Sequence, residues 1–395
     1  MTYDFDTLTD RRGTDSEKWD VGESELPMWV ADMDFQTAPE IMQALEKRLR
    51  HGIFGYTYPS GRWREAYAGW WKERYGFAMQ PDWLVFCTGV VPAISSAIRV
   101  LTTPNENVVI QTPVYNIFFN SIRNRGCRVL ENPLKYENGT YFMDFGDLEM
   151  KLSDPQTTLM ILCNPQNPAG KIWDPESLRR VGDLCKKHHV TVIADEIHCD
   201  LTAPGKRYIP FASVSEACRE ISITCIAPTK TFNIAGLQTA AVSAVNPVLR
   251  HKIWRAMNTD DVAEPNAFAT TAAIAAYEKG APWLDALRTY LWENRKTAEE
   301  YIAREIPGMR AVKGEATYLL WIDISGLTED SVTFARFLRE KTGLFISAGA
   351  VYGKGGEAFL RMNLACPRTT CLEGLKRLKT GAVLFMESEA SRHCR

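Results

Sequence analysis

Five short stretches of this chain, at 84–87, 107–111, 159–163, 190–194 and 221–226, are mostly apolar and carry no charged residue. A strand with no polar face cannot lie on a solvated surface, so each must be covered on both sides. Helix-period segments separate several of them, notably 92–101 and 175–188, the latter with Asp174 as its N-cap. This alternation predicts a mostly parallel central sheet with helices on both faces, an α/β fold. Turn-forming and polar residues fall repeatedly just after the apolar runs: Thr88-Gly89-Val90-Val91, Thr112-Pro113-Val114-Tyr115, Asn164-Pro165-Gln166-Asn167-Pro168, Asp195-Glu196 and Thr229-Lys230. In open α/β sheets ligands bind outside the carboxyl ends of the strands. One convergent site is therefore expected at that edge.

The rest of the chain frames this core. The segment before Phe35 has no helical or strand period but carries Trp19, Pro27, Met28 and Trp29, so it should pack on the body or on a partner subunit. Thr37-Ala38-Pro39-Glu40 reads as a capping box opening a helix to about His51. A glycine- and tyrosine-rich loop at 51–61 precedes a helix at 62–75, whose aromatic stripe of Trp63, Tyr67, Trp70 and Trp71 reads as core. Beyond Thr259 the pattern turns helical, through an alanine-rich segment at 268–277 and a long helix from Trp283 to about Arg304. Strands at 317–324 and 359–364, a helix at 332–342 stopped by Gly343, and a closing helix at 371–385 indicate a second, smaller α+β unit. The expected division is an arm and first helix at 1–50 contributing to the small domain, a large α/β domain at 51–285, and a small domain at 286–395.

Composition narrows the function classes. A net charge of −2, with 24% charged residues, gives no reason to expect nucleic acid or an acidic membrane as partner. No run reaches the ~18 apolar residues of a membrane span, and the first twenty residues are too polar for a secretory signal. Ten cysteines form no close-spaced framework, Cys163, Cys199 and Cys225 read as buried thiols, and six histidines show no metal-ligand spacing. A cytoplasmic protein without a structural metal is expected.

A lysine in a turn at the end of a buried strand differs from a solvated surface lysine. Burial lowers an ammonium pKa and yields an amine fit for a Schiff base, which makes Lys230 the candidate anchor of a carbonyl cofactor. Pyridoxal phosphate needs further partners, and the strand ends offer them. Asp195 can stay anionic beside a pyridinium, Asn167 can donate to a ring hydroxyl, and Tyr115 can stack on a ring face. Gly89-Val90-Val91, opening a helix after a strand, offers backbone amides to phosphate. Arg361, near the C-terminus, can hold a substrate carboxylate. Each residue alone has a bland explanation: a turn aspartate, a proline-loop asparagine, a core tyrosine, a surface ion pair. Their common placement carries the reading.

With those residues in view, the chain resembles fold-type I pyridoxal-phosphate enzymes of the class I/II aminotransferase superfamily. Within it the chain is most similar to the MalY/PatB type, the cystathionine β-lyases and cystalysin-like cysteine desulfhydrases. The resemblance runs through Asp10-Arg11-Arg12-Gly13-Thr14, Leu26-Pro27-Met28-Trp29-Val30-Ala31-Asp32, Gly55-Tyr56-Thr57, the strand-end motifs above, Asp195-Glu196-Ile197-His198, Thr229-Lys230-Thr231-Phe232-Asn233-Ile234-Ala235-Gly236 and Arg361-Met362-Asn363-Leu364-Ala365. It implies a transferase-like large domain and pyridoxal 5′-phosphate held by Lys230, Asp195, Asn167, Tyr115, Thr229 and the backbone of Val90 and Val91. It also implies a homodimer in which Tyr56 reaches the neighbour's phosphate, and a substrate site with Arg361, Tyr56 and Ala31. His198 stands where many relatives carry a tyrosine that reaches the ring oxygen. Typical aminotransferases have Ser-x-Ser-Lys, with an arginine eight residues after the lysine that pairs with phosphate. Here Ala227, Thr229 and Gln238 hold those places, so the phosphate has less local positive charge. The implied activity is carbon–sulfur β-elimination of L-cystathionine, L-cysteine or L-cystine to pyruvate, ammonia and a thiol. The alternatives are an aminotransferase or a lyase with a secondary regulatory binding role.

Overall fold

The computed structural model describes residues 3–393. The five apolar runs form the strands Leu84–Cys87, Asn107–Ile110, Thr157–Cys163, Thr191–Asp195 and Ser222–Ile226. Two further strands, Arg128–Glu131 and Ala240–Ser243, complete a seven-stranded sheet. Its order begins Leu84–Cys87, Ala240–Ser243, Ser222–Ile226, Thr191–Asp195, and ends Thr157–Cys163, Asn107–Ile110, Arg128–Glu131. Ala240–Ser243 runs antiparallel to both of its neighbours, while the other pairings are parallel. The sheet is thus mostly parallel, as the apolar runs predict. The two additional strands carry weak patterns: one is a part-exposed edge, and the other is built of Ala, Val and Ser.

Burial on both faces follows the two-residue strand period. Val108, Ile110, Ile161, Ile193 and Ile223 pack with Ile94, Ile98, Ile253 and Met257 from the helices Val90–Leu101 and Pro247–Thr259. Val109, Met160, Leu162, Val192 and Ala194 pack with Leu148, Leu178 and Val181 from Phe145–Leu152 and Pro175–Lys187. Pro175–Lys187 forms as its sequence dictates. The Asp174 carboxylate accepts from the Ser177 amide at 2.9 Å, and Lys186 and Lys187 close the last turn. The helix Gly61–Tyr75 buries its aromatic stripe: Trp63, Tyr67 and Trp71 are fully enclosed. Truncating one such tryptophan to alanine costs about 3–5 kcal/mol.

The N-terminal arm packs on its own chain. Leu26–Pro27 pairs in parallel with Leu344–Phe345, and Asp34 receives Arg11, Lys18 and Trp19 together. The expected capping box does not form. Thr37 instead donates its hydroxyl to the Phe232 carbonyl at 2.6 Å, and the helix begins at Pro39 without a side-chain cap. A tertiary acceptor has outcompeted the local one. A second, antiparallel sheet is ordered Arg310–Ala311, Leu319–Asp323, Phe359–Asn363, Ser347–Ala348. The helix Ser331–Thr342 ends at Gly343, whose φ of 70° and whose 2.6 Å approach of a would-be Cβ to the Ser24 carbonyl exclude a larger residue. The closing helix, Arg368–His393, is longer than its apolar pattern predicts.

Candidate active site

The carboxyl ends of the parallel strands bring the expected residues to one edge. The strand Ser222–Ile226 delivers Lys230 into a cavity of about 720 Å³. Ala31, Tyr115 and Arg361 line the same cavity. The Lys230 amine donates to the Ala31 carbonyl at 2.6 Å. Burial lowers its pKa to about 8, against the opposing fields of Asp32 and Asp195 and with help from Arg361. A lysine so placed exchanges protons near neutral pH.

Asp195 ends its strand buried, accepting from the Ile197 amide at 3.2 Å and making no ion pair among the described residues. Burial pushes its carboxyl up to about 7, with the Ile197 hydrogen bond and the Lys230 charge acting the other way. A buried carboxylate without a cation fits a group that brings a cationic ring nitrogen. Asn167 is also buried, and its Oδ1 accepts from Arg361 at 3.2 Å. A guanidinium only donates, so the amide is fixed with Nδ2 free to donate elsewhere. Tyr115 stands edge-on to Phe118 and within the electrostatic reach of Arg361 and Asp195; its phenol is pushed up to about 12, chiefly by burial.

Gly89 is the N-cap of Val90–Leu101 and supplies no side-chain hydrogen bond to it. The amides of Val90 and Val91 therefore open that helix uncapped, ready for an anion. Thr229 is buried beside Lys230, with a hydroxyl to offer. Gln238 is exposed in a left-handed turn at φ 53°, where the transaminase pattern would place a cation. His198 is buried, its Nδ1 has no hydrogen-bond partner, and burial with the charges of Lys230 and Arg361 lowers its pKa to about 3. The imidazole is neutral. Tyr56 is fully exposed in the loop between two helices, near exposed Ile53, Phe54 and Tyr58, away from its own chain's cavity.

Arg361 reaches the cavity from the second sheet, where it pairs with Trp321 and Ser347. Its guanidinium donates to Trp29 O at 2.8 Å and lies 5.0 Å from the Tyr352 ring centroid, and its Nε has no partner. Several contributors escape a sequence reading. Tyr318 donates to the Ala31 carbonyl at 2.9 Å, so one carbonyl serves both this phenol and the Lys230 amine. Asn363 donates to Val30 O and Asp32 O at 2.6 Å each, fixing the strap that carries Ala31. Asn233 holds the same strap through Met33 and Phe35. Asn233 and Asn363 stand within motifs that carry the resemblance, and Tyr318 has no such signal. A tyrosine in a strand reads as core.

The profile of the family described as aminotransferase class I and II matches residues 26–378. The chain is 44% identical over 381 residues to the cystathionine β-lyase PatB of Bacillus subtilis, covering 95% of this chain and 98% of that one. It is 35% identical to the protein MalY of Escherichia coli, covering 95% and 98%. Among solved structures it is similar to cystalysin from Treponema denticola, which contains pyridoxal 5′-phosphate, with a TM-score of 0.93, 33% identity, and coverage of 96% of this chain and 99% of that one.

Proposed function

The chain belongs to the class I and II aminotransferase family, and from that premise we propose that it is a pyridoxal-phosphate-dependent carbon–sulfur β-lyase. It eliminates the sulfur group from Cβ, as homocysteine from L-cystathionine, thiocysteine from L-cystine or sulfide from L-cysteine, and hydrolysis of the remaining aminoacrylate by water gives pyruvate and ammonia. The observation that carries the reading is the pairing of Lys230 and Arg361 across one cavity: a near-neutral amine faces a carboxylate receptor.

The residues fit the cofactor. Lys230 would anchor it, the unpaired Asp195 carboxylate would meet its ring nitrogen, and Asn167 Nδ2 would donate to its ring oxygen. The uncapped Val90 and Val91 amides and the Thr229 hydroxyl would receive its phosphate, and Tyr115 would cover a ring face. When bound, the cofactor supplies an electrophilic carbon for the substrate amine and a sink for electrons released at Cα. The protein's own residues do the rest. Arg361 binds the α-carboxylate and fixes which bond at Cα faces the ring. Lys230 Nζ takes the Cα proton as general base; an amine with a pKa of about 8 is partly neutral at pH 7 and can return a proton to the leaving sulfur. The Ala31 carbonyl, shared with Tyr318, holds that amine in place. His198, kept neutral, adds no positive charge beside Lys230.

The shared-site reading belongs to this proposal. We take the exposed loop carrying Ile53, Phe54, Tyr56 and Tyr58 as the surface that enters a second copy, where the Tyr56 hydroxyl would serve the partner's phosphate. Residues 51–285 then act as the cofactor-bearing domain and 286–395 as the substrate-closing one, bridged by 1–50. Nine free, buried cysteines among the described residues and no helix long and apolar enough to cross a membrane suit a cytoplasmic site of action. The activity is tested by supplying L-cystathionine or L-cystine alone and assaying pyruvate. Pyruvate without an added 2-oxo acid supports the lyase. Amino transfer that requires a 2-oxo acid, with no pyruvate from either compound, overturns it.

A further inference from the structure

The cavity that holds Lys230 and Arg361 is also lined by Trp29, Phe345 and two solvent-exposed side chains, Glu17 and Arg336. These are opposite charges, both exposed, and neither makes a hydrogen bond or ion pair among the described residues. The neighbouring charges are committed. Asp32 holds Arg11, Arg339 holds Glu25 and lies 3.8 Å from the Phe345 ring centroid, and Arg361 is bound to Trp29 O and Asn167. The field of Arg336 reaches Asp330, but that carboxylate is engaged by the Thr333 amide and hydroxyl. The charge of Glu17 is felt at both Lys230 and Tyr115, which places it within electrostatic reach of the reaction centre.

Two unpaired, opposite charges on the rim of one cavity form a receptor for a zwitterion. A substrate with a single amino-acid head satisfies Arg361 and leaves the rim pair unused. A substrate whose leaving thiol carries a second amino-acid head offers it both a carboxylate and an ammonium. We propose that Arg336 and Glu17 form a distal subsite for the second amino-acid head of thioether or disulfide substrates, with Arg336 receiving the carboxylate and Glu17 the ammonium. The proposal rests on the lyase reading above and deepens it: the preferred substrates are two-headed, cystathionine and cystine, over simple S-alkyl cysteines.

The test compares pyruvate formation from L-cystathionine and from S-methyl-L-cysteine in the holoenzyme and in the Arg336→Met and Glu17→Gln variants. The ratio of the two kcat/KM values is expected to fall about tenfold in each variant, mainly through KM for cystathionine. It is also expected to fall with added salt in the unmodified enzyme, because rim charges are screened. The S-methylcysteine rate of each variant is the internal reference for a folded, loaded site. A ratio that stays constant in both variants overturns the distal subsite. Absence of pyruvate from either thioether in the unmodified enzyme overturns the lyase reading instead.

Discussion

Replacing Asp195 by asparagine separates what the site costs the fold from what it does for the cofactor. The carboxyl is buried, accepts one amide at 3.2 Å, and makes no ion pair among the described residues. Burial raises its pKa from 3.8 to about 7. A raised folded-state pKa means that the folded protein prefers the protonated acid. The associated stability is fully present below about pH 4, is lost as pH rises, and levels off above pH 7. A shift of about three units at ~1.4 kcal/mol per unit is a cost on the order of 4 kcal/mol at pH 8, and under about 2 kcal/mol at pH 5. Asparagine keeps the shape and the acceptor for Ile197 while removing the charge. Cofactor-free Asp195→Asn should therefore be more stable than the cofactor-free unmodified protein at pH 8, and the gap should narrow toward pH 5. Urea midpoints of both proteins at pH 5, 6.5 and 8 read this directly. Adding pyridoxal phosphate should narrow or reverse the order at pH 8, because the cofactor supplies the missing cation only to the carboxylate. A variant that is no more stable at any pH, or a gap that ignores pH, would refute the reasoning.

Lys230→Ala should abolish the long-wavelength absorbance of covalently bound cofactor, and a surviving band would show that the anchor is elsewhere. Tyr318→Phe leaves Lys230 as the sole donor to the Ala31 carbonyl; the amine released when substrate binds should titrate at higher pH, visible in the acidic limb of kcat, with about 1 kcal/mol of stability lost. Arg361→Lys should raise KM for amino-acid substrates about 100-fold, since a point charge replaces a fork that also orients Asn167. Mixing inactive Tyr56→Phe and Lys230→Ala chains should regain activity through hybrid dimers, and activity no greater than that of the separate variants would remove Tyr56 from the partner's site.

The sequence is legible where chemistry and backbone position coincide. Largely apolar runs followed by Asp195 and Lys230 reveal both the parallel sheet and the edge where its ligands bind, because burial on two faces leaves no charged residue until the strand ends. Legibility fails where a residue's role depends on a distant acceptor. The hydroxyl of Thr37 reads as a cap, yet it serves Phe232, 195 positions away. Tyr318 reads as core and is core, but its phenol also meets the Ala31 carbonyl, 287 positions away. Weakly apolar Ala240–Ser243 is a strand because two neighbours hold it, with little propensity of its own. Glu17 and Arg336 carry no motif, and only the cavity that joins them gives them a common role.

The contact between Arg361 and Asn167 explains why the two halves of the site must assemble together. Arg361 belongs to the antiparallel sheet and Asn167 to a loop at the end of a strand in the large one, 194 positions apart. The arginine has no acceptor to offer, so it dictates that Asn167 turns its oxygen toward it and leaves its amide nitrogen as a donor, the one the proposed function gives to the cofactor's ring oxygen. The same guanidinium is the proposed receptor for the substrate carboxylate, and its Nε is still unpartnered. A carboxylate arriving there would take the free Nε donor and share the guanidinium with Asn167 Oδ1 and Trp29 O. In the proposed site, substrate binding would therefore load a guanidinium that also holds Asn167 and the strap bearing Ala31, whose carbonyl accepts from Lys230. Carboxylate recognition and placement of the base are thus coupled through three contacts, which is the physical reason a substrate lacking its carboxylate should lose kcat as well as affinity.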